Sequence, residues 1–110
     1  MEDSRLNRSM LLDFYGELLT EKQREYYDLH YNEDLSLYEI AEHTGVSRQA
    51  VWDNIRRAET ALQEMEEKTG LVARALHRRE VLGEMEALIA ALPDSEIRAA
   101  LAEKLDALKD

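Results

Sequence analysis

Apolar side chains recur at intervals of three and four along almost the whole chain, and strand-like alternation is absent. This periodicity predicts helices nearly throughout. A first helix is expected from about Ser4 to Leu19, with Leu6, Met10, Leu11, Phe14, Tyr15 and Leu18 at helical spacing. Leu12 and Leu19 fall on a second side, so this helix calls for cover on two faces, one of them against another subunit. Thr20 with Gln23 forms a capping box for a short helix ending near Tyr31, and residues 32–35 make a polar turn. Further on, Leu71, Ala75, Arg78, Leu82, Met85, Ile89 and Leu92 follow a four-three repeat that only Arg78 interrupts. Pro93 ends that helix, Asp94 is the expected cap of the next, and Ile97, Leu101, Leu105 and Leu108 line the last one.

Between these segments lies the most informative stretch, SLYEIAEHTGVSRQAVWDNIRRA, residues 36–58. Ser36 with Glu39 forms a second capping box, and Ile40 and Ala41 supply an inward face. Gly45 falls where the chain leaves the helix, a place that calls for the left-handed backbone glycine tolerates. Val46 plugs the turn and Ser47 caps a second helix that shows no stop until Gly70. Val51, Ile55, Ala58 and Leu62 give that helix one buried stripe. Arg48, Gln49, Trp52, Asp53 and Arg56 are left facing outward. A second helix that presents its first turns to solvent is how a helix-turn-helix meets a nucleic-acid groove. The expected architecture is all-α, one domain over residues 1–110. Its helix-turn-helix core spans residues 4–70 and a C-terminal helical hairpin residues 71–110.

Charge complicates the binding reading. The chain of 110 residues carries a net charge of −10, whereas nucleic-acid affinity rests largely on Lys and Arg displacing counterions. Residues 1–35 hold 4 basic and 9 acidic groups, residues 36–58 hold 3 of each, and residues 59–110 hold 7 and 12. The motif is thus the least acidic third, with its cations Arg48, Arg56 and Arg57 all on the second helix. Arg48 and Gln49 suit paired hydrogen bonds with purines, and Arg56 and Arg57 suit phosphates. These five residues, Arg48, Gln49, Trp52, Arg56 and Arg57, are the expected nucleic-acid contacts. The alternative for the polar four is a solvated face neutralised by Asp53 and Glu59. Trp52 beside a buried valine is expected to be partly core. Asp53 opposes close phosphate contact.

Other candidate chemistry is thin. Tyr26, Tyr27, Tyr31 and Tyr38 resemble an aromatic platform, but most of them are expected in the core. His30, His43 and His77 share no metal-ligand spacing. Glu64, Glu66 and Glu67 read as a solvated helix face, and Arg74, Arg78 and Arg79 with His77 as partners for neighbouring acids. The sequence has no phosphate-cradling glycine loop and no Gly-flanked serine, so no catalytic residue, metal or cofactor is expected. Zero cysteines exclude a disulfide framework. The polar start lacks a secretion-signal core, and no apolar run approaches the roughly 18 residues of a spanning helix. A soluble cytoplasmic protein without membrane contact is expected.

From Leu19 to about Leu62 the chain resembles the fourth region of bacterial sigma factors, through LTEKQREYYDLHY and the motif itself. Asp28 and His30 stand where sigma-like regions often carry Arg, which argues against a free-standing sigma factor. Over nearly the whole length the chain is similar to the YlxM family of small helix-turn-helix proteins. The carrying segments are LLDFYGELLTEKQREYYDLHY, SLYEIAEHTGVSRQAVWDNIRRAE and the long acidic helix that follows. That resemblance implies a homodimeric cytoplasmic protein with a regulatory role in the signal recognition particle (SRP) pathway. Binding to DNA or SRP RNA, or contact with the SRP GTPase, is what it implies about partners. The rival expectation is a protein-interaction module on the same scaffold, binding a basic partner through its acidic flanks.

Overall fold

The computed structural model describes residues 4–109, all of them in helices or short connections. In chain order the elements are α1 (Ser4–Tyr15), a 3-10 turn (Gly16–Leu18), α2 (Glu21–Tyr31), α3 (Leu37–Thr44), α4 (Arg48–Thr69), α5 (Leu71–Ala90) and α6 (Glu96–Leu108). The all-α class expected from the periodicity is what the chain adopts.

The chain divides into two compact units, residues 1–72 and residues 73–110. In the first, α4 is the spine, with α1, α2 and α3 all packed against it. Tyr26 of α2, Ile40 of α3, and Val51 and Ile55 of α4 form a buried cluster. Leu29, Leu35, Leu37, Ala41 and Val46 close around it. Met10, Leu11 and Tyr15 of α1, with Leu19, Tyr27, Ala58, Leu62 and Val72, complete the core.

Polar groups tie these helices at fixed points. The Tyr15 hydroxyl donates to Glu66 Oε1 at 2.6 Å and lies 2.5 Å from Thr69 Oγ1, fastening α1 to the end of α4. The same Glu66 oxygen accepts the backbone N–H of Val72 at 3.0 Å, one of the donors a helix start leaves without an intrahelical partner. Nearer the middle of α4, the Tyr31 hydroxyl donates to Glu59. The Arg8 guanidinium sits 4.4 Å over the Tyr31 ring. Burial first, then that bond to Glu59, pushes the Tyr31 phenol up to about 12. Burial raises the Tyr27 phenol further still.

Three helix boundaries differ from the sequence expectation. The first helix stops at Tyr15, not near Leu19, because Thr20 caps α2 in extended backbone and Leu19 is already extended. A continuous helix through Leu19 would forfeit the Thr20–Gln23 box, whose two hydrogen bonds both form at 3.2 Å. Its first apolar side also splits: Met10, Leu11 and Tyr15 are buried while Leu6, Phe14 and Leu18 stay exposed, and of the second side Leu19 is buried and Leu12 half-buried. At the far end Ser95, not Asp94, caps α6, its hydroxyl accepting Arg98 N–H at 3.1 Å. Asp94 is one residue too early for that bond. The helix before it ends at Ala90, and residues 91 and 92 close it as a turn.

In the second unit α5 and α6 form an antiparallel hairpin. Arg78 donates to the Leu108 carbonyl, and Lys109 pairs with Glu86. Leu105 is its one buried side chain among the described residues, with Leu82 and Ile89 half-buried.

Two outcomes follow for the first unit. Ile55→Ala removes a fully buried side chain from the spine and is expected to cost about 2–5 kcal/mol, read as a lower urea midpoint at unchanged slope. The Tyr31 phenol holds its proton more tightly folded than unfolded. Its contribution is therefore complete below pH 10 and declines as pH rises from 10 towards 12. Tyr31→Phe should flatten that alkaline decline in urea midpoints taken from pH 8 to 12.

Candidate nucleic-acid interface

The site is built by two capped helices and the turn between them. Ser36 and Glu39 exchange both bonds of the capping box at 3.0 Å, so α3 starts where the sequence places it. Accepting the Ser36 backbone N–H holds the Glu39 carboxyl below its usual range. Gly45 adopts φ 77°, the left-handed conformation that ends α3, and its N–H bonds Ala41 O at 2.9 Å. Val46 packs on the core cluster as the plug of the turn. Ser47 then caps α4 by accepting Ala50 N–H at 3.1 Å.

Along α4 the stripe Val51, Ile55, Ala58 and Leu62 is fully buried. Because a helix turns about 100° per residue, burying that stripe leaves the opposite face to solvent. Arg48, Gln49, Arg56 and Arg57 are all exposed on it. Trp52 is half-buried, its ring body packed on the core cluster, as expected for a tryptophan beside Val51. The five predicted residues are thus spread around the outer side of α4 without converging on one point, and at about 100° per residue Arg48 and Arg57 lie half a turn apart. Arg48 lies in a shallow groove between α3 and α4 lined by Tyr38, Ala41, Glu42, Gly45, Val46 and Ser47. Arg56 and Arg57 border a second depression with Asp53, Thr60, Ala61 and Glu64. Two helical turns, roughly 12 Å of rise, separate Arg48 from Arg56.

Two features were not read from the sequence. Gln49 is exposed, but its amide nitrogen donates to Asp53 Oδ1 at 3.1 Å, one turn on. Paired readout of a purine by Gln49 requires that bond to open. Asp53 therefore orients Gln49 as well as offsetting the arginines. The second feature is Tyr38, which is 60% exposed beside Arg48 while Tyr26 and Tyr27 are buried. The period of α3 carried that signal: with Ile40 buried and Leu37 and Ala41 half-buried, position 38 falls on the outer side.

His30 Nδ1 lies 2.7 Å from the Leu35 carbonyl, an intrachain tie that fixes the turn before α3. Among the described residues no group of three or more His, Asp or Glu is arranged to hold a metal ion. No helix among them is long and apolar enough to cross a membrane.

Comparison with known proteins agrees with this geometry. Residues 2–103 match the UPF0122 family, described as "Putative helix-turn-helix protein, YlxM / p13 like". A UPF0122 protein of Halalkalibacterium halodurans is 49% identical over 109 residues, which cover 99% of this chain and 100% of that one. A relative from Shouchella clausii is 45% identical over 98% of this chain and 99% of its own length. One from Clostridium kluyveri is 59% identical over 70 residues, 64% of this chain and 63% of its own. With a two-helix motif of this form and matches of this length, the chain belongs to the UPF0122 family of YlxM/p13-like helix-turn-helix proteins.

Proposed function

We propose that this protein is a non-catalytic, cytoplasmic accessory protein that binds nucleic acid through the outer face of α4 and regulates the SRP pathway. One observation carries the binding part of the reading. The capped α3–turn–α4 unit buries Val51, Ile55, Ala58 and Leu62 and turns Arg48, Gln49, Arg56 and Arg57 to solvent. Arg48 and Gln49 read base edges, Trp52 offers its exposed edge beside them, and Arg56 and Arg57 take phosphates. Resemblance to the YlxM proteins supports the targeting pathway, with SRP RNA or DNA as the nucleic acid and the SRP GTPase as a protein partner.

A second reading has its own support. Asp53 and Glu64 border the depression that holds Arg56 and Arg57, and the whole chain carries −10. A surface that close to neutral makes few net phosphate neutralisations. It suits a module that keeps the helix-turn-helix scaffold and binds a basic protein instead.

Fluorescence anisotropy with duplex DNA and with SRP RNA over a salt series separates the two. Under the nucleic-acid reading, Arg56→Ala with Arg57→Ala weakens binding and reduces the log–log salt slope by about 1–2. Arg48→Ala lowers discrimination between sequences by about 1–3 kcal/mol at the base it contacts. Asp53→Asn tightens binding in either nucleic acid. Absence of binding to both probes, with partner capture unchanged in Arg48→Ala/Arg56→Ala, selects the protein-interaction reading.

A further inference from the structure

Where the residues of α4 fall around its axis decides which of them a surface laid on that helix meets first. At about 100° per residue, the direction opposite the buried stripe of Val51, Ile55, Ala58 and Leu62 falls between Gln49 and Asp53. Asp53 lies within about 10° of that direction and Gln49 within about 30°. Arg56 and Arg57 lie about 50° to either side, and Arg48 about 130° away, in the groove it shares with α3. The middle of the outer face is thus a carboxylate and an amide set between two arginines.

That carboxylate is committed to the amide alone. Among the described residues Gln49 is its one hydrogen-bond partner, and neither Arg56 nor Arg57 reaches ion-pair distance of it. The Gln49 amide nitrogen donates to Asp53 Oδ1 at 3.1 Å, which leaves the amide oxygen and the second carboxylate oxygen as acceptors. A partner that brings a hydrogen to this closed pair leaves its internal bond intact.

Two base edges in the major groove carry such a donor, N4 of cytosine and N6 of adenine. Adenine sets its N7 acceptor beside the amino group, and a carboxylate there is repelled. Guanine and thymine present keto oxygens, which the pair repels as well. Cytosine alone offers a donor with no acceptor on the same edge. The element decides the duplex: the major groove of B-DNA admits an α-helix, whereas that of duplex RNA is too deep and narrow for side chains to read.

We infer that Asp53, held by Gln49, is a specificity-determining residue that accepts a hydrogen bond from the N4 amino group of a cytosine in the major groove of duplex DNA. This rests on the reading of the outer face of α4 as a nucleic-acid surface, and names the base and the duplex for it. Arg56 and Arg57, on either side, take the phosphates that position the contact.

The test starts from duplex DNA randomised over a central stretch and selected for binding to the full chain and to Asp53→Ala. The unaltered chain should enrich sites with one fixed cytosine, and Asp53→Ala should enrich sites without it. On an enriched duplex, replacing that C·G pair by T·A should weaken binding of the chain by about 5- to 150-fold, and of Asp53→Ala by less than about twofold. Asp53→Asn should bind random duplex more tightly and yet lose the preference, because a side-chain amide can also donate to keto oxygens. Repulsion by Asp53 alone gives the tighter binding with the preference unchanged. Far-UV circular dichroism should be the same for all three chains, since Asp53 bonds only within its own helix. Selected sites without a fixed cytosine, a cytosine preference that survives Asp53→Ala or Asp53→Asn, or binding confined to RNA each overturns the inference and leaves the nucleic-acid reading standing. Failure to bind either nucleic acid overturns both.

Discussion

Val51, Ile55, Ala58 and Leu62 lie on one side of α4 and have no contact with water. Covering that stripe is the constraint that places every other helix of the N-terminal unit. Burying a side chain of this kind contributes about 1.5–3 kcal/mol for the larger members, more than any single cap or ion pair in the molecule. Tyr26 brings α2 to the stripe, Ile40 brings α3, and Leu11 and Tyr15 bring α1. The outward presentation of Arg48, Gln49, Arg56 and Arg57 is the geometric complement of that burial, since a helix with one committed face has the other left over. The presentation of that outer face and the stability of the unit therefore share a single cause, and a substitution on the stripe reaches both.

Polar ties then fix how the helices meet. Glu66 accepts both the Tyr15 hydroxyl and the Val72 backbone N–H, so one carboxylate joins the ends of α1 and α4 to the start of α5. Glu59 with Tyr31, and Arg8 over the same ring, join α1, α2 and α4 further along. No buried side-chain polar atom among the described residues lacks a hydrogen-bond partner. That matters because an unmet buried polar group costs about as much as a hydrogen bond contributes, or more. The exposed pair of Arg5 and Asp34 is of a different order, for solvent screens both partners.

Much of the interface was legible in the sequence because its determinants are local. A capping box needs residues three apart, a helix exit needs a glycine, and an amphipathic stripe needs apolar residues at three and four. Ser36, Gly45, Ser47 and the stripe from Val51 to Leu62 meet those conditions, and the structure forms each of them. The tie between Gln49 and Asp53 was within reach of the same reasoning, since residues four apart on a helix are neighbours. Where the reading failed, two local signals competed. Apolar spacing favoured a helix through Leu19, but the Thr20 cap required extended backbone. Asp94 was the expected cap after Pro93, but the neighbouring Ser95 lies three residues before Arg98 and accepts its N–H.

By itself, then, the sequence determined the all-helical class, the two capped helices of the motif, and which side of α4 turns inward, because each depends on neighbours within about one helical turn. Only the tertiary structure decided which of the apolar residues around α1 are covered, with Met10, Leu11, Tyr15 and Leu19 inside and Phe14 and Leu18 outside. It alone separated buried Tyr26 and Tyr27 from exposed Tyr38, and joined Tyr31 to Glu59, 28 residues away. Periodicity states that a face needs cover; the partner that supplies it comes from distant parts of the chain, and their meeting is fixed by packing in three dimensions.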